Sequence, residues 1–392
     1  MKKWICALLC AVLAFSLVSC ANDTAETQTD GGNVSADADF SLSAMDFVKN
    51  ITAGWNLGNT FEATPEVWGS FPENYTIEDV ETAWNNPKTT ETMIAEVAEK
   101  GFNAVRIPVT WSNFMTVENG VVSIDDQLIN RIKEVVSYCY QHDMYVIVNM
   151  HHDDKIWLSI AGTEEEFQTV VDQYRQAWTI IGEAFKDYNE KLILEGANEI
   201  IYQTNDSDAD WWGNEGLYDF NPFDRLNTLF ATFVETVRAT GGNNAERYLM
   251  FPTYGAQWYT HQIDNLEIPG DGYHLICDIH WYSTDETAEG YAAYFSDMDT
   301  HMQFYEIPVI LGECGARRDQ TDEEKIAWAD EYVKTAGSYG IKCFLWDDGG
   351  DFMVLDRQSL SWTSEAYVDA VITAAKEGAQ LYEEKLQSQT EE

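Results

Sequence analysis

Eight short apolar runs, separated by longer amphipathic stretches, constrain the fold of this chain more than any other feature. They are "TAGWN" (52–56), "NAVRIP" (103–108), "YVIVNM" (145–150), "KLILEG" (191–196), "YLMFPT" (248–253), "LICDIHW" (275–281), "PVILGE" (308–313) and "KCFLWD" (342–347). Each has the length of a strand, and a buried helix would need a run roughly twice as long. Helical periodicity fills 90–100, 125–142, 164–188, 223–240, about 287–305, 322–339 and 364–386, with the weakest helical signal between the fifth and sixth runs. Strands alternating with helices predict parallel pairing, and eight such units close on themselves as a (β/α)8 TIM barrel. A chain of 392 residues suits one such catalytic domain, with no second domain or internal repeat needed.

The ends lie outside this pattern. "MKKWICALLCAVLAFSLVSC" has Lys2 and Lys3, an apolar stretch shorter than a membrane span, and small residues before Cys20. It reads as a secretory signal, and the ending "LVSC" resembles a bacterial lipoprotein signal in which Cys20 becomes the lipid-modified first residue. Residues 21–40 are too polar to pack and carry no basic group, as expected of a flexible acidic linker. The domain is expected over 41–387, with 388–392 as a disordered tail. This organisation predicts an extracellular protein held at the bacterial surface, touching the membrane only through its lipid.

Charge narrows the partners. Lys and Arg total 23 against 67 Asp and Glu, a formal net charge of -44, which repels phosphate backbones and excludes nucleic acid as a natural partner. A neutral substrate fits better, and the chain is read as a monomer. Cys139, Cys277, Cys314 and Cys343 lie in or beside apolar runs without paired CxxC spacing, so buried free thiols are expected.

Polar residues recur where the runs end, and in a barrel those positions converge on one mouth. They are Arg106, His151 and His152, Asn198 and Glu199, His280 and Tyr282, Glu313, and Trp346. Glu199 and Glu313 follow the fourth and seventh runs. Two carboxyl groups facing each other about 5–5.5 Å apart are what retaining glycoside hydrolysis needs, one as nucleophile and one as acid/base. Arg106 is expected to hold one glutamate ionised, while a less compensated Glu199 stays protonated and donates to the leaving oxygen. Asn198 suits a sugar 2-hydroxyl, Tyr282 the nucleophile, and Trp346 the face of a pyranose ring. Adjacent histidines on a strand point to opposite faces, and no HExxH accompanies His151 and His152, so neither metal nor cofactor is expected.

Taken in order, "GWNLGNTFEA", "ETAWNNPKTT", "FNAVRIPVTW", "VIVNMHHD", "EGANEI", "DIHWYS", "PVILGECGA" and "CFLWDDG" resemble the motifs of glycoside hydrolase family 5 over nearly the whole mature chain. "TAWNNPKTT", "VRATGGNNAERYLMFPTY" and "WDDGGDFMVLDR" are most similar to its subfamily 4, bacterial endoglucanases that include cellulases, mixed-linkage glucanases and xyloglucanases. The resemblance implies Glu199 as acid/base and Glu313 as nucleophile. It implies Arg106, His151, Asn198, His280 and Tyr282 as further core positions, and Trp346 as a ring-stacking residue. Asn56, Trp84 and His152 are implied near the substrate. Two positions depart from the family pattern: Ile200 replaces the usual Pro after Asn-Glu, and Cys314 the usual aromatic after the nucleophile. The implied activity is a retaining endo-β-1,4-glucanase acting on a β-glucan. Alternatives are a mannanase or xylanase of the same fold, or a non-catalytic oligosaccharide-binding lipoprotein.

Overall fold

Strands β1 (Gly54–Asn56), β2 (Ala104–Ile107), β3 (Tyr145–Asn149), β4 (Leu192–Glu195), β5 (Leu249–Pro252), β6 (Leu275–His280), β7 (Val309–Cys314) and β8 (Lys342–Leu345) pair in parallel and in chain order, and β8 returns to β1 to close the barrel. Each lies within one of the eight apolar runs or overshoots it by a single residue. The computed structural model describes residues 38–67, 71–204, 208–213, 219–270, 272–284, 286–303 and 305–390. The signal, Cys20 and nearly all of the expected linker lie outside the described residues.

Alternation along the strands divides the core. Outward residues such as Val105, Val146, Leu194 and Phe251 pack under the surrounding helices, in one large apolar cluster. Inward residues Ala104, Ile147, Ile193, Met250, Ile276, Ile310 and Phe344 fill the lower barrel. Gly54 makes room there, because a Cβ at that position would lie 2.0 Å from the Phe344 ring. A short helix that the sequence reading missed, Ala44–Lys49, closes the floor with Phe47 stacked 3.6 Å above Tyr248.

The outer helices begin on side-chain caps. Thr163 and Thr321 form capping boxes with Glu166 and Glu324 that start Glu164–Phe185 and Asp322–Trp328, each cap stabilising by about 1 kcal/mol. The single helix expected over 322–339 contains a π-turn at Ala329–Val333 between two α-helical pieces. Two antiparallel hairpins, Met115–Glu118 with Val121–Ile124 and Leu355–Asp356 with Ser361–Trp362, were also not anticipated.

Both domain boundaries need correction. The Asp39 amide bonds to Glu190 at 2.9 Å and the Phe40 ring lies 5.9 Å from that of Tyr248, so packing begins before residue 41. At the other end the helix Glu365–Thr390 runs through the tail expected from 388. Among the described residues no helix is long and apolar enough to cross a membrane. All four cysteines of the domain are buried and free of disulfides.

Candidate active site

Two residues beyond the apolar inner layer, the same alternation turns a polar layer into the barrel. It contains Asn56, Arg106, Asn149, Glu195 and Asp278, all with no solvent exposure. Charges buried there need partners, and Arg106 supplies them. Its Nε and Nη2 donate to the two oxygens of Glu195, each at 2.7 Å. Its Nη1 donates to Glu313 Oε1 at 2.8 Å and Asn56 Oδ1 at 3.1 Å, and Nη2 also to Asn198 Oδ1 at 2.9 Å. Burial opposes the guanidinium charge, but Glu195 and Glu313 outweigh it and hold Arg106 protonated. Leaving a charge buried without its partner costs about 3–5 kcal/mol, so the two-bond pair with Glu195 secures the fold while the third arm of the guanidinium aims Glu313.

Strict alternation would direct Glu313 away from the barrel axis, and a β-bulge corrects this. The register of β7 slips by one residue against both β6 and β8 around Gly312 and Glu313, which turns the Glu313 side chain into the mouth. Asp278 holds the bulge by accepting the Gly312 amide at 3.0 Å. Only glycine fits there, since a Cβ on Gly312 would stand 2.2 Å from Asp278 Oδ1. The Tyr282 hydroxyl donates to Glu313 Oε2 at 2.9 Å while its ring remains 40% exposed. Burial and the adjacent Glu313 push the Tyr282 hydroxyl well above the ordinary tyrosine range, so it stays a donor.

Glu199 faces His280, whose Nδ1 lies 2.8 Å from Glu199 Oε1 and whose Nε2 lies 3.1 Å from Asp278 Oδ2. With a carboxylate on each nitrogen, both nitrogens donate and the ring is an imidazolium. Burial disfavours that charge, but Glu313 and Asp278 raise His280 well above the ordinary histidine value. The expectation that Glu199 is the less compensated acid is therefore corrected. Burial raises its pKa, yet the His280 hydrogen bond and charge outweigh burial and hold it below the usual value. The proton is on the imidazole, one hydrogen bond away. One ligand-type atom each of Glu199, His280 and Glu313 lies within 4.8 Å of the others. Within the trio His280 is hydrogen-bonded to Glu199, and its Nδ1 lies 3.7 Å from Glu313 Oε2.

His151 is neutral, because burial above all, with the charge of Arg106 nearby, presses its pKa down. Asn149 fixes its tautomer. That amide accepts the Val109 N–H through Oδ1 and donates through Nδ2 to Glu195, so the same NH2 donates to His151 Nδ1 at 3.0 Å. The proton of His151 is then on Nε2, which lies 4.0 Å from Glu313 Oε1. The Trp346 ring runs parallel to His151 with centroids 5.9 Å apart. The loop that carries it is tied down by Asp347, which accepts from the Trp55 indole and the Leu355 amide, each at 2.9 Å. His152 contacts His151 at 4.5 Å and Trp84 at 6.2 Å between centroids, which brings Trp84 to the same edge of the mouth.

Asn56 does not fit a substrate-contact role. It is fully buried, its NH2 donates to the carbonyls of Gly312 and Leu345, and its oxygen accepts from Arg106. The two departures from the family motifs are also absorbed. Ile200 is buried with its carbonyl taken by the Gly255 amide, and the Cys314 thiol is buried over the Phe344 carbonyl.

The sequence model of "Cellulase (glycosyl hydrolase family 5)" matches residues 69–351. The chain belongs to glycosyl hydrolase family 5. It is a glycoside hydrolase. Endoglucanase A of Ruminococcus albus is 35% identical over 362 residues, covering 86% of this chain and 93% of that protein. A family 5 subfamily 4 broad-specificity endoglucanase from Ruminococcus champanellensis, solved with bound cellotriose, superposes with a TM-score of 0.78 at 34% identity, over 86% of this chain and 99% of that one. A xyloglucan-specific family 5 endo-β-1,4-glucanase from a metagenomic library, also with cellotriose, has a TM-score of 0.75 at 31% identity, covering 84% and 98%. Within the family 5 barrel, the sequence reading missed Glu195, Asp278 and Asn149. Their signal was present as a polar residue two positions after an inward-facing apolar one in otherwise apolar strands, "LILE", "ICDIH" and "VIVN".

Proposed function

We infer that this protein is a retaining endo-β-1,4-glucanase that cleaves internal bonds of a β-glucan by double displacement. The observation that carries the reading is the glutamate pair at the barrel mouth, with carboxyl oxygens of Glu199 and Glu313 within 4.8 Å of each other. That spacing suits a covalent glycosyl-enzyme; inverting enzymes hold the pair roughly 6.5–9.5 Å apart to admit a water. Glu313, held by Arg106 and Tyr282, attacks the anomeric carbon. Glu199 delivers the proton it shares with His280 to the leaving oxygen, then takes one back from water. Asn198, its oxygen fixed by Arg106, turns its NH2 to the sugar 2-hydroxyl, and Trp346 stacks on the ring bound ahead of the cut.

Relatives described as a broad-specificity endoglucanase and a xyloglucan-specific endo-β-1,4-glucanase favour a β-1,4-glucan backbone over mannan or xylan. Reducing ends should appear on carboxymethylcellulose, mixed-linkage β-glucan or xyloglucan, with viscosity falling early, as internal cleavage requires. Release from mannan alone, in a panel that also contains xylan, overturns the assignment.

We also propose that Cys20 carries the lipid and that the acidic segment after it tethers the barrel outside the cell. Supporting this are the basic start, the short apolar stretch and the "LVSC" ending. Wild type should fractionate with membranes, and Cys20→Ala should not be acylated. An acyl-free wild-type protein found wholly in the medium refutes the anchor.

A further inference from the structure

Asp278, in the polar layer beneath the mouth, has no solvent exposure and so cannot meet a substrate. Its neighbours show what it does instead. On β6 it precedes His280 by two residues, and strand alternation turns both side chains to the same face. Oδ1 accepts the Gly312 amide at 3.0 Å, at the bulge that brings Glu313 into the mouth. Oδ2 lies 3.1 Å from His280 Nε2, and the other ring nitrogen lies 2.8 Å from Glu199 Oε1. The two oxygens of one carboxylate therefore lead to different glutamates.

The second oxygen decides where a proton resides. A carboxylate only accepts, so His280 Nε2 donates to it and Nδ1 donates to Glu199. A donor in place of Oδ2 would reverse the first bond and leave a neutral imidazole with its one proton on Nδ1. Besides Asp278, the titratable groups facing His280 are Glu199 after β4, Glu313 on β7 with Oε2 at 3.7 Å, and His151 after β3. Burial disfavours the imidazolium; Glu313 favours it by charge, and Asp278 by charge and by hydrogen bond. Glu199 in turn feels Lys155, His152 and Asp154 from the loop after β3, and Tyr282 from the end of β6. None of these lies between Asp278 and His280, so the aspartate acts on the ring directly and on Glu199 through it.

We propose that Asp278 is a positioning residue for both catalytic glutamates: one oxygen holds the bulge that aims Glu313, and the other keeps His280 doubly protonated, so that Glu199 has a proton to deliver. This rests on the endoglucanase reading above and assigns the group that ties nucleophile and acid together. When the leaving oxygen takes its proton from Glu199, the imidazolium replaces it through Nδ1, and the proton on Nε2 stays with Asp278.

Asp278→Asn separates the two tasks. Its amide oxygen still accepts from Gly312, while its NH2 takes the place of the acceptor that faced Nε2. Two measurements on the full-length protein read the result. In nitrogen NMR of histidine-labelled protein, wild-type His280 should carry a proton on both nitrogens at neutral pH, and the variant should show one bare nitrogen. In the pH profile of kcat/KM on cellohexaose, loss of the carboxylate charge lets the ring give up its proton at lower pH. The alkaline limb should therefore fall by about one pH unit or more, a loss of about tenfold at a pH above both limbs. The dinitrophenol burst from dinitrophenyl β-cellobioside, which needs no proton, should fall less. An alkaline limb that stays in place overturns the proposal, as does an equal fall on both substrates at every pH, which marks a merely structural role. The wild-type spectrum needs no variant: a singly protonated His280 there overturns the proposal even if Asp278→Asn does not fold. Wild type inactive on both substrates removes the endoglucanase reading and this one together, whereas active wild type with an unmoved limb in the variant removes only this one.

Discussion

Glu313→Ala is expected to lose roughly 10^4- to 10^6-fold in kcat on β-glucan, the scale seen when the attacking group of a covalent mechanism is deleted. The loss should not come from unfolding, because Arg106 keeps its two bonds to Glu195 when Glu313 is removed. Circular dichroism should show a wild-type spectrum. The vacancy lies beside Arg106 Nη1 and the Tyr282 hydroxyl, two donors already aimed at an anion. Added azide should occupy it, attack from the side Glu313 used, and give an α-glycosyl azide from an activated glucoside. Full activity in Glu313→Ala would show that another group attacks.

The barrel was legible in the sequence because its determinants are local. Each strand is a short apolar run ended by polar residues, and the major helices carry their own periodicity and polar caps, as at Thr163, Asp125 and Asn221. The helix Ala44–Lys49 was not, since six residues give too little periodicity, and its partners Tyr248, Ile310 and Phe344 come from distant strands. The hairpin after β2 was missed for a similar reason: its strands are four residues each, and only Val122 and Ile124 are buried, too short an alternation to stand out. The tail was misjudged because "EEKLQSQTEE" has the composition of a solvated end, yet its charges suit the exposed face of a helix already under way.

The mouth was legible as residue types but less so as wiring. Glu199 and Glu313 stand out as acids after apolar strands, and the barrel alone brings their ends together. Which cation serves which acid depends on side-chain direction across strands distant in sequence. Arg106 was assigned one glutamate and in fact bridges two, Glu195 and Glu313, 89 and 207 residues away. His280 sits 81 residues from Glu199 yet determines its charge. The bulge at Gly312 leaves only a glycine before a glutamate as its trace, and Asp278 shows why that glycine is needed.

Glu199→Ala is expected to cost about 10^2- to 10^4-fold on β-glucan, the usual worth of a general acid, and much less where no proton is required. Dinitrophenolate leaves unaided, so dinitrophenyl β-cellobioside should still form the glycosyl-enzyme, visible as a burst of dinitrophenol. The intermediate then lacks its general base. Azide should speed its breakdown and give the β-glycosyl azide, the opposite anomer from the Glu313 variant. The pH profile separates the roles further. In wild type the proton for the leaving oxygen belongs to the Glu199–His280 pair, and His280 is held above its ordinary value by Glu313 and Asp278. Glu199 by itself is held low, so as pH rises the pair keeps its proton until the imidazolium titrates. The alkaline limb on β-glucan should accordingly lie above the carboxylate range, and in Glu199→Ala acting on the aryl substrate it should vanish from the burst rate. Exchanged azide anomers would swap the two glutamates. Net inversion by wild type, followed by proton NMR of the fresh reducing end, would exclude the covalent route for both.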